Sequence, residues 1–344
     1  MTGRTATLNW WIHYKKVAFI WFISALCFFI LFQMALHNSS NTLSSPSSDS
    51  SNLSSERRSK LYDKMARDLD EHGAAFLNHG ETSQSLSISD IFTLKDGSVT
   101  PVLKPANPPV RANVLYLNTE FSVPFAEAVN NIFNPYFDKG KSLLDLPFLY
   151  LFYFILFPCL HVCKLAIWFQ NSSMYHFSMF HASHHIVPVP ATKEEIEAEA
   201  SSVETVAARL CPLNIVLDRV VLTSTGVLLG CWQVISGTDP ITIRARLKNV
   251  LPRAPEKQLY DAAILHTTFA RLLGPPRASS TEHLTTSGEL KFFHELVNQL
   301  NRQIRGFKAV VSELWYVEEY HVLALALNGK MNCHKFKLGC SSRD

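Results

Sequence analysis

The sequence lacks a dominant charge. Its 344 residues hold 32 Lys and Arg against 29 Asp and Glu, a formal net charge of +3, with no Lys/Arg-rich arm. That excludes nucleic-acid binding by bulk electrostatics, so any nucleotide or RNA contact falls to a local pocket. No CxxC pair occurs among the seven cysteines, which argues against zinc held through cysteine. Cys27, Cys159 and Cys163 sit in apolar runs; Cys211, Cys231, Cys333 and Cys340 fall in the folded part, with three possible pairings. An oxidising compartment would permit bridges among them. The one DxD-like element, Asp68-Leu69-Asp70, lies in a helical stretch rather than a strand-end loop. That counts against a Golgi-type glycosyltransferase, the alternative raised by the layout described next.

What is present is apolar content in two concentrated runs. Val17 to Leu36 carries no charge and has the length of a bilayer-spanning helix. Arg4, Lys15 and Lys16 precede it, and no Lys or Arg follows until Arg57. The positive-inside rule then keeps residues 1–16 cytosolic and sends the remainder into the secretory lumen, a type II signal anchor of the ER or Golgi. Residues 37–110 read as a Ser-rich stalk and neck. The tract from His37 to Glu56 is too polar to fold, and Asn38 and Asn52 are glycosylation acceptors if lumenal. Residues 55–85 have loose helical spacing, and the Pro-rich stretch 104–109 marks the expected domain boundary.

From residue 111 strands and helices mix, with antiparallel hairpins, which predicts an α+β fold. Expected strands are Val114–Leu117, one around Tyr175, Asn214–Leu222, Val227–Val234, Asp261–Leu272, Lys308–Val317 and Tyr320–Leu327. Expected helices are Val123–Phe133, Lys193–Leu210, Pro240–Val250 and Gly288–Gln303. Thr223-Ser224-Thr225-Gly226 is a hairpin signal.

Two of these strands carry one pattern: an apolar residue, His, any residue, Ser or Thr, an apolar residue. They are Tyr175-His176-Phe177-Ser178-Met179 and Leu265-His266-Thr267-Thr268-Phe269. Alternation along a strand turns His and the hydroxyl to one face and the apolar neighbours to the other. Among 14 histidines the bare H-x-[ST] pattern also occurs at His37, His181 and His283, without that apolar framing. In-line cleavage of a phosphodiester needs a base on one side and an acid on the other. Imidazoles, with an ordinary pKa of about 6.5, fill both roles near neutrality. Hydroxyls supply hydrogen bonds to the phosphate oxygens.

The paired motifs resemble those of the two-histidine (2H) phosphoesterase superfamily. Over residues 111–344 the chain looks like a plant RNA ligase/cyclic nucleotide phosphodiesterase family protein. The resemblance implies two pseudo-symmetric β-sheet lobes with outer helices, each lobe giving one motif to a central cleft. It implies His176 and His266 as the acid–base pair, Ser178 and Thr268 as phosphate ligands, and no cofactor or metal. The implied substrates are 2′,3′-cyclic phosphates or RNA-type phosphodiesters, and no protein partner is implied. A second reading is a non-catalytic nucleotide-binding module of the same fold.

His181, His184 and His185 follow the first motif and read as substrate-lining residues; no carboxylate or cysteine is near enough in sequence to complete a metal site. His181-Ala182-Ser183 is an alternative register for that motif. Trp168, Trp232 and Trp315 are aromatic candidates for base stacking, a residue type found more often in cores. Residues 140–165 form an apolar insertion foreign to the fold, read as a retained intron. If residues 146–162 instead span a membrane, the catalytic part returns to the cytosol.

Overall fold

The computed structural model describes residues 49–79, 86–95, 98–137, 167–275 and 286–340. The tail at 1–16, the anchor at 17–36 and the insertion at 140–165 lie outside them. Among the described residues no helix is long and apolar enough to cross a membrane.

Two antiparallel sheets carry the site. In the first, β3 (Pro105–Tyr116) lies between β5 (His176–Ser183) and β10 (Glu313–His321), with β11 (Met331–Lys337) outermost beside β10. In the second the order is β4 (Ile167–Phe169), β8 (His266–Leu272), β7 (Val227–Ser236), β6 (Leu213–Leu222) and β9 (Lys308–Val311). A small hairpin pairs β1 (Phe92–Lys95) with β2 (Ser98–Pro101). The mixed α+β architecture agrees with the expectation.

Helix boundaries follow local chemistry. Thr192 and Glu195 form a capping box that starts the helix Lys193–Ala207. Asp239 accepts from the Ile241 N–H, and Pro240 opens the helix Pro240–Val250 at the position where a missing N–H costs nothing. The helix Thr119–Phe137 buries Phe125, Val129, Phe133 and Phe137, each contributing about 1.5–3 kcal/mol. Its Phe125 meets Trp232, Phe269 and Phe307 within one continuous core. The β6–β7 hairpin turns where expected, with Gly226 at φ +80°.

Several expectations need correction. The helix Asp49–His72 is not a free-standing neck: Tyr62 and Leu69 are buried in it, with Tyr62 against the second sheet. The Pro-rich stretch is not a linker either. It opens β3, and its prolines precede most of the paired ladder, where no N–H is required. The folded unit therefore begins before residue 111. The expected strand Lys308–Val317 is two strands in different sheets, β9 and β10, broken at Ser312. Tyr320–Leu327 does not continue as a strand, because Leu323 adopts a positive φ and Ala324–Leu327 forms a helical turn.

Of the four cysteines, Cys211 and Cys340 form a disulfide, and Cys231 and Cys333 are free. Asp68 and Asp70 serve packing: Asp68 accepts from the Ser224 N–H, and Asp70 meets His294 at 2.6 Å.

Candidate active site

The two motifs lie on β5 and β8, in different sheets, and both face one cavity. Its wall includes His176, Ser178, His266, Thr268, Tyr260, Arg271, Gln170 and Glu319. The cavity measures about 60 Å³, room for several waters where one needs roughly 10–15 Å³.

The two strands share more than the motif. On β5, Ser178 faces Val114 and Phe180 faces Asn113, so Met179 is an extra residue. On β8, Thr268 faces Leu229 and Ala270 faces Leu228, so Phe269 is extra. Each motif is thus followed directly by a β-bulge, which shifts the alternation by one. The residue five places after the histidine then returns to the histidine's face. On β8 that residue is Arg271, and on β5 it is His181.

Arg271 is 8% exposed and lines the cavity. Among the described residues no carboxylate pairs with it, and burial lowers its pKa. A buried guanidinium without a carboxylate, beside two imidazoles and two hydroxyls, is a site for an anion. Strict alternation hid it, because a regular strand places residue 271 on the core face with Phe269.

Burial holds both imidazoles below their ordinary range, His266 to about 3, with Arg244 and His176 adding to its shift. His176 differs in having a hydrogen bond from Nδ1 to the Met174 carbonyl at 2.8 Å, which favours its charged form. Since that carbonyl only accepts, Nδ1 carries the hydrogen and the neutral ring leaves Nε2 bare. The Tyr260 ring meets His266 edge-on, with centroids 4.9 Å apart.

One side chain ties the two motifs together. Arg244, on the helix Pro240–Val250, donates to the carbonyls of Ser178 and Met179 at 2.8 and 2.9 Å. It also donates to those of Ala262 and Ile264, at 2.6 and 2.8 Å, in the segment leading to His266. From the other side the helix Asp49–His72 holds the alternate residues of the same segment. Arg57 pairs with Asp261, Arg58 donates to the Ala263 carbonyl, and the Tyr62 hydroxyl lies 2.8 Å from the Leu265 carbonyl and accepts from the Leu265 N–H. Nothing in the local sequence announces either clamp, since both rest on contacts far apart in the chain.

The histidine cluster does not line the cavity. His181 packs against Tyr260 and His184, and burial lowers its pKa to about 3. His184 accepts from the Val187 N–H and lies 3.2 Å from the Lys257 carbonyl, which fixes its ring in the turn. His185 lies on that turn beyond the strand. The alternative register fails because Ser183 is fully buried and its hydroxyl accepts from the Val189 N–H. Trp232 is core, Trp168 donates to the Ala326 carbonyl, and Trp315 is covered by Tyr116 and Lys335.

No protein-family model matches the sequence. No curated protein matches it either. Solved structures with a similar arrangement include TT0787 of Thermus thermophilus, at 11% identity and TM-score 0.39, covering 67% of this chain and 99% of that one. Apo LigT of E. coli follows at 12% identity and TM-score 0.34, covering 67% and 98%. A structure described as a phosphoesterase is 12% identical with TM-score 0.32, covering 69% and 99%. LigT has also been solved complexed with 3′-AMP.

Proposed function

We propose that the chain is a phosphodiesterase of the two-histidine type, acting on cyclic phosphate or RNA-type phosphodiester substrates. One observation carries the reading: two H-x-[ST] motifs from separate sheets meet at one cavity beside a buried Arg271 that has no carboxylate partner among the described residues.

In this reading Arg271, Ser178 and Thr268 bind the non-bridging phosphate oxygens. His266, the imidazole pushed down to about 3, acts as base. His176, whose cation the Met174 carbonyl favours, acts as acid. Burial lowers both imidazoles, and the asymmetry that divides the roles is the Met174 carbonyl, which bonds the His176 ring and has no counterpart at His266 among the described hydrogen bonds. His266 takes a proton from water, the oxygen attacks phosphorus, and the bond to the leaving ribose oxygen breaks as His176 protonates it. A 2′,3′-cyclic phosphate opens to a phosphomonoester. The assigned chemistry gives no step to a metal.

The test uses the full chain in detergent with 2′,3′-cyclic nucleotides in EDTA, beside His176→Ala and His266→Ala. Hydrolysis that falls by roughly 10²–10⁴-fold in both variants supports the reading. Folded protein that hydrolyses neither cyclic phosphates nor short RNA diesters, yet binds nucleotides, leaves the non-catalytic module instead. The membrane anchor and lumenal placement belong to the same proposal; glycosylation at Asn38 or Asn52 in cells would support them, and its absence would count against them.

A further inference from the structure

One residue on the cavity wall has no part in the chemistry assigned above. Tyr260 lines the cavity with both motif histidines, both hydroxyls and Arg271, and its ring stands edge-on to His266 with centroids 4.9 Å apart. Neither motif places it there. It belongs to the loop between the helix Pro240–Val250 and β8.

That loop is fixed on both sides of Tyr260. β5 is an edge strand of its sheet, and the Gln258 amide pairs with it as a neighbouring strand would. Gln258 Oε1 accepts from the His181 N–H at 2.8 Å, and Nε2 donates to the His181 carbonyl at 3.1 Å. On the other side Asp261 accepts from the Ala263 N–H at 2.8 Å and pairs with Arg57. The Tyr260 ring also packs against His181, with centroids 6.5 Å apart. A side chain anchored in this way is held in place before a ligand arrives, which spares the ordering cost of binding.

The two bulged strands show what Tyr260 adds. Arg271 on β8 and His181 on β5 each follow a motif histidine by five residues. Arg271 lines the cavity; His181 does not, and Tyr260, packed against it, does. Burial lowers the Arg271 pKa and the Tyr260 oxygen opposes that shift, which puts the phenol within electrostatic reach of the guanidinium. At about 60 Å³ the cavity has room for little beyond a phosphate group, so a polar atom on its wall meets phosphate oxygens rather than a base. A phenol supplies one O–H donor there.

We propose that Tyr260 is a further phosphate-binding residue, its hydroxyl donating to a non-bridging oxygen of the substrate beside the fork of Arg271. The assignment rests on the phosphodiesterase reading above and adds a donor that neither motif contains. A hydrogen bond to an anionic oxygen is stronger than one between neutral groups, and stronger again away from water.

The experiment compares the wild-type full chain in detergent with Tyr260→Phe, which keeps the ring against His181 and His266 and removes only the oxygen. Two quantities are read: kcat/KM for a 2′,3′-cyclic nucleotide, and the calorimetric Kd for inorganic phosphate. The expected result is a fall of about ten-fold or more in kcat/KM and a rise in Kd by a similar factor. Both values within two-fold of wild type overturn the proposal and leave the hydrolase reading intact. A fall in kcat/KM with Kd unchanged also overturns it, because the hydroxyl would then act through His266 and not on phosphate. If wild type hydrolyses no ester, the parent reading fails and the two Kd values alone decide; a wild type that binds no phosphate overturns the proposal. If Tyr260→Phe does not fold, nitration of wild-type Tyr260, which is half-buried, replaces it. Saturating phosphate should slow that nitration at least two-fold, and an unchanged rate overturns the assignment.

Discussion

Tyr62→Phe tests whether the helix Asp49–His72 is part of the catalytic apparatus. The Tyr62 side chain is fully buried, and its hydroxyl lies 2.7 Å from the Trp232 carbonyl and 2.8 Å from the Leu265 carbonyl. It also accepts from the Leu265 N–H at 3.2 Å, one residue before His266. Removing the oxygen leaves that N–H buried without a partner, at a cost of about 1–3 kcal/mol. For a domain of this size each kcal/mol lowers Tm by roughly 2–4 °C, so a fall of about 2–12 °C is expected. The kinetic effect should exceed what stability alone explains. A displacement near 1 Å at a reacting group costs on the order of 10²-fold, so kcat should drop by roughly ten-fold or more with KM little changed. Thermal unfolding and steady-state hydrolysis of a cyclic nucleotide, measured on the same preparation, separate the two effects. A Tyr62→Phe protein with unchanged Tm and unchanged kcat would refute the reasoning.

Arg271→Met should raise KM for any phosphodiester and lower kcat/KM by about ten- to a hundred-fold, with Arg271→Lys intermediate, because a point charge replaces a planar fork; equal kinetics in all three proteins would remove Arg271 from the site. His181, pushed down to about 3, stays neutral in the folded chain, whereas the unfolded chain binds its proton below about pH 6.5. Stability is therefore lost as pH falls, by about 2 kcal/mol for this group at about pH 5. His181→Phe should show a correspondingly smaller loss in urea unfolding between about pH 7.5 and 5, and an identical loss would contradict the burial argument.

How much of this was legible from the chain divides along a physical line. The motif strands, the β6–β7 hairpin and the helix Pro240–Val250 rest on local signals: alternation, a turn with glycine, an N-cap followed by proline. His176, Ser178, His266 and Thr268 come together in the structure because the same alternation holds up to the hydroxyl. Beyond that point both strands bulge, and a parity read from sequence misplaces Arg271. Gln170 and Glu319 gave no signal, since each is an ordinary polar residue until Leu325 fixes it. The helix Asp49–His72 has the polar composition of an exposed helix, which suggests a separate neck. Its few buried side chains, Arg58 and Tyr62 among them, make contacts about 200 residues away.

The twin bulges bear on the direction in which a substrate lies. Up to the hydroxyl the two half-sites are chemically near-equivalent, so a phosphate group alone meets much the same donors whichever way round it enters. What distinguishes the halves is the Met174 carbonyl bonded to the His176 ring and, after the bulge, a cation reaching the cavity from β8 and from β5 a histidine packed against Tyr260 and His184. In the two-histidine reading a substrate therefore takes its direction from that carbonyl on one imidazole and from the guanidinium beside the other, not from the paired hydroxyls.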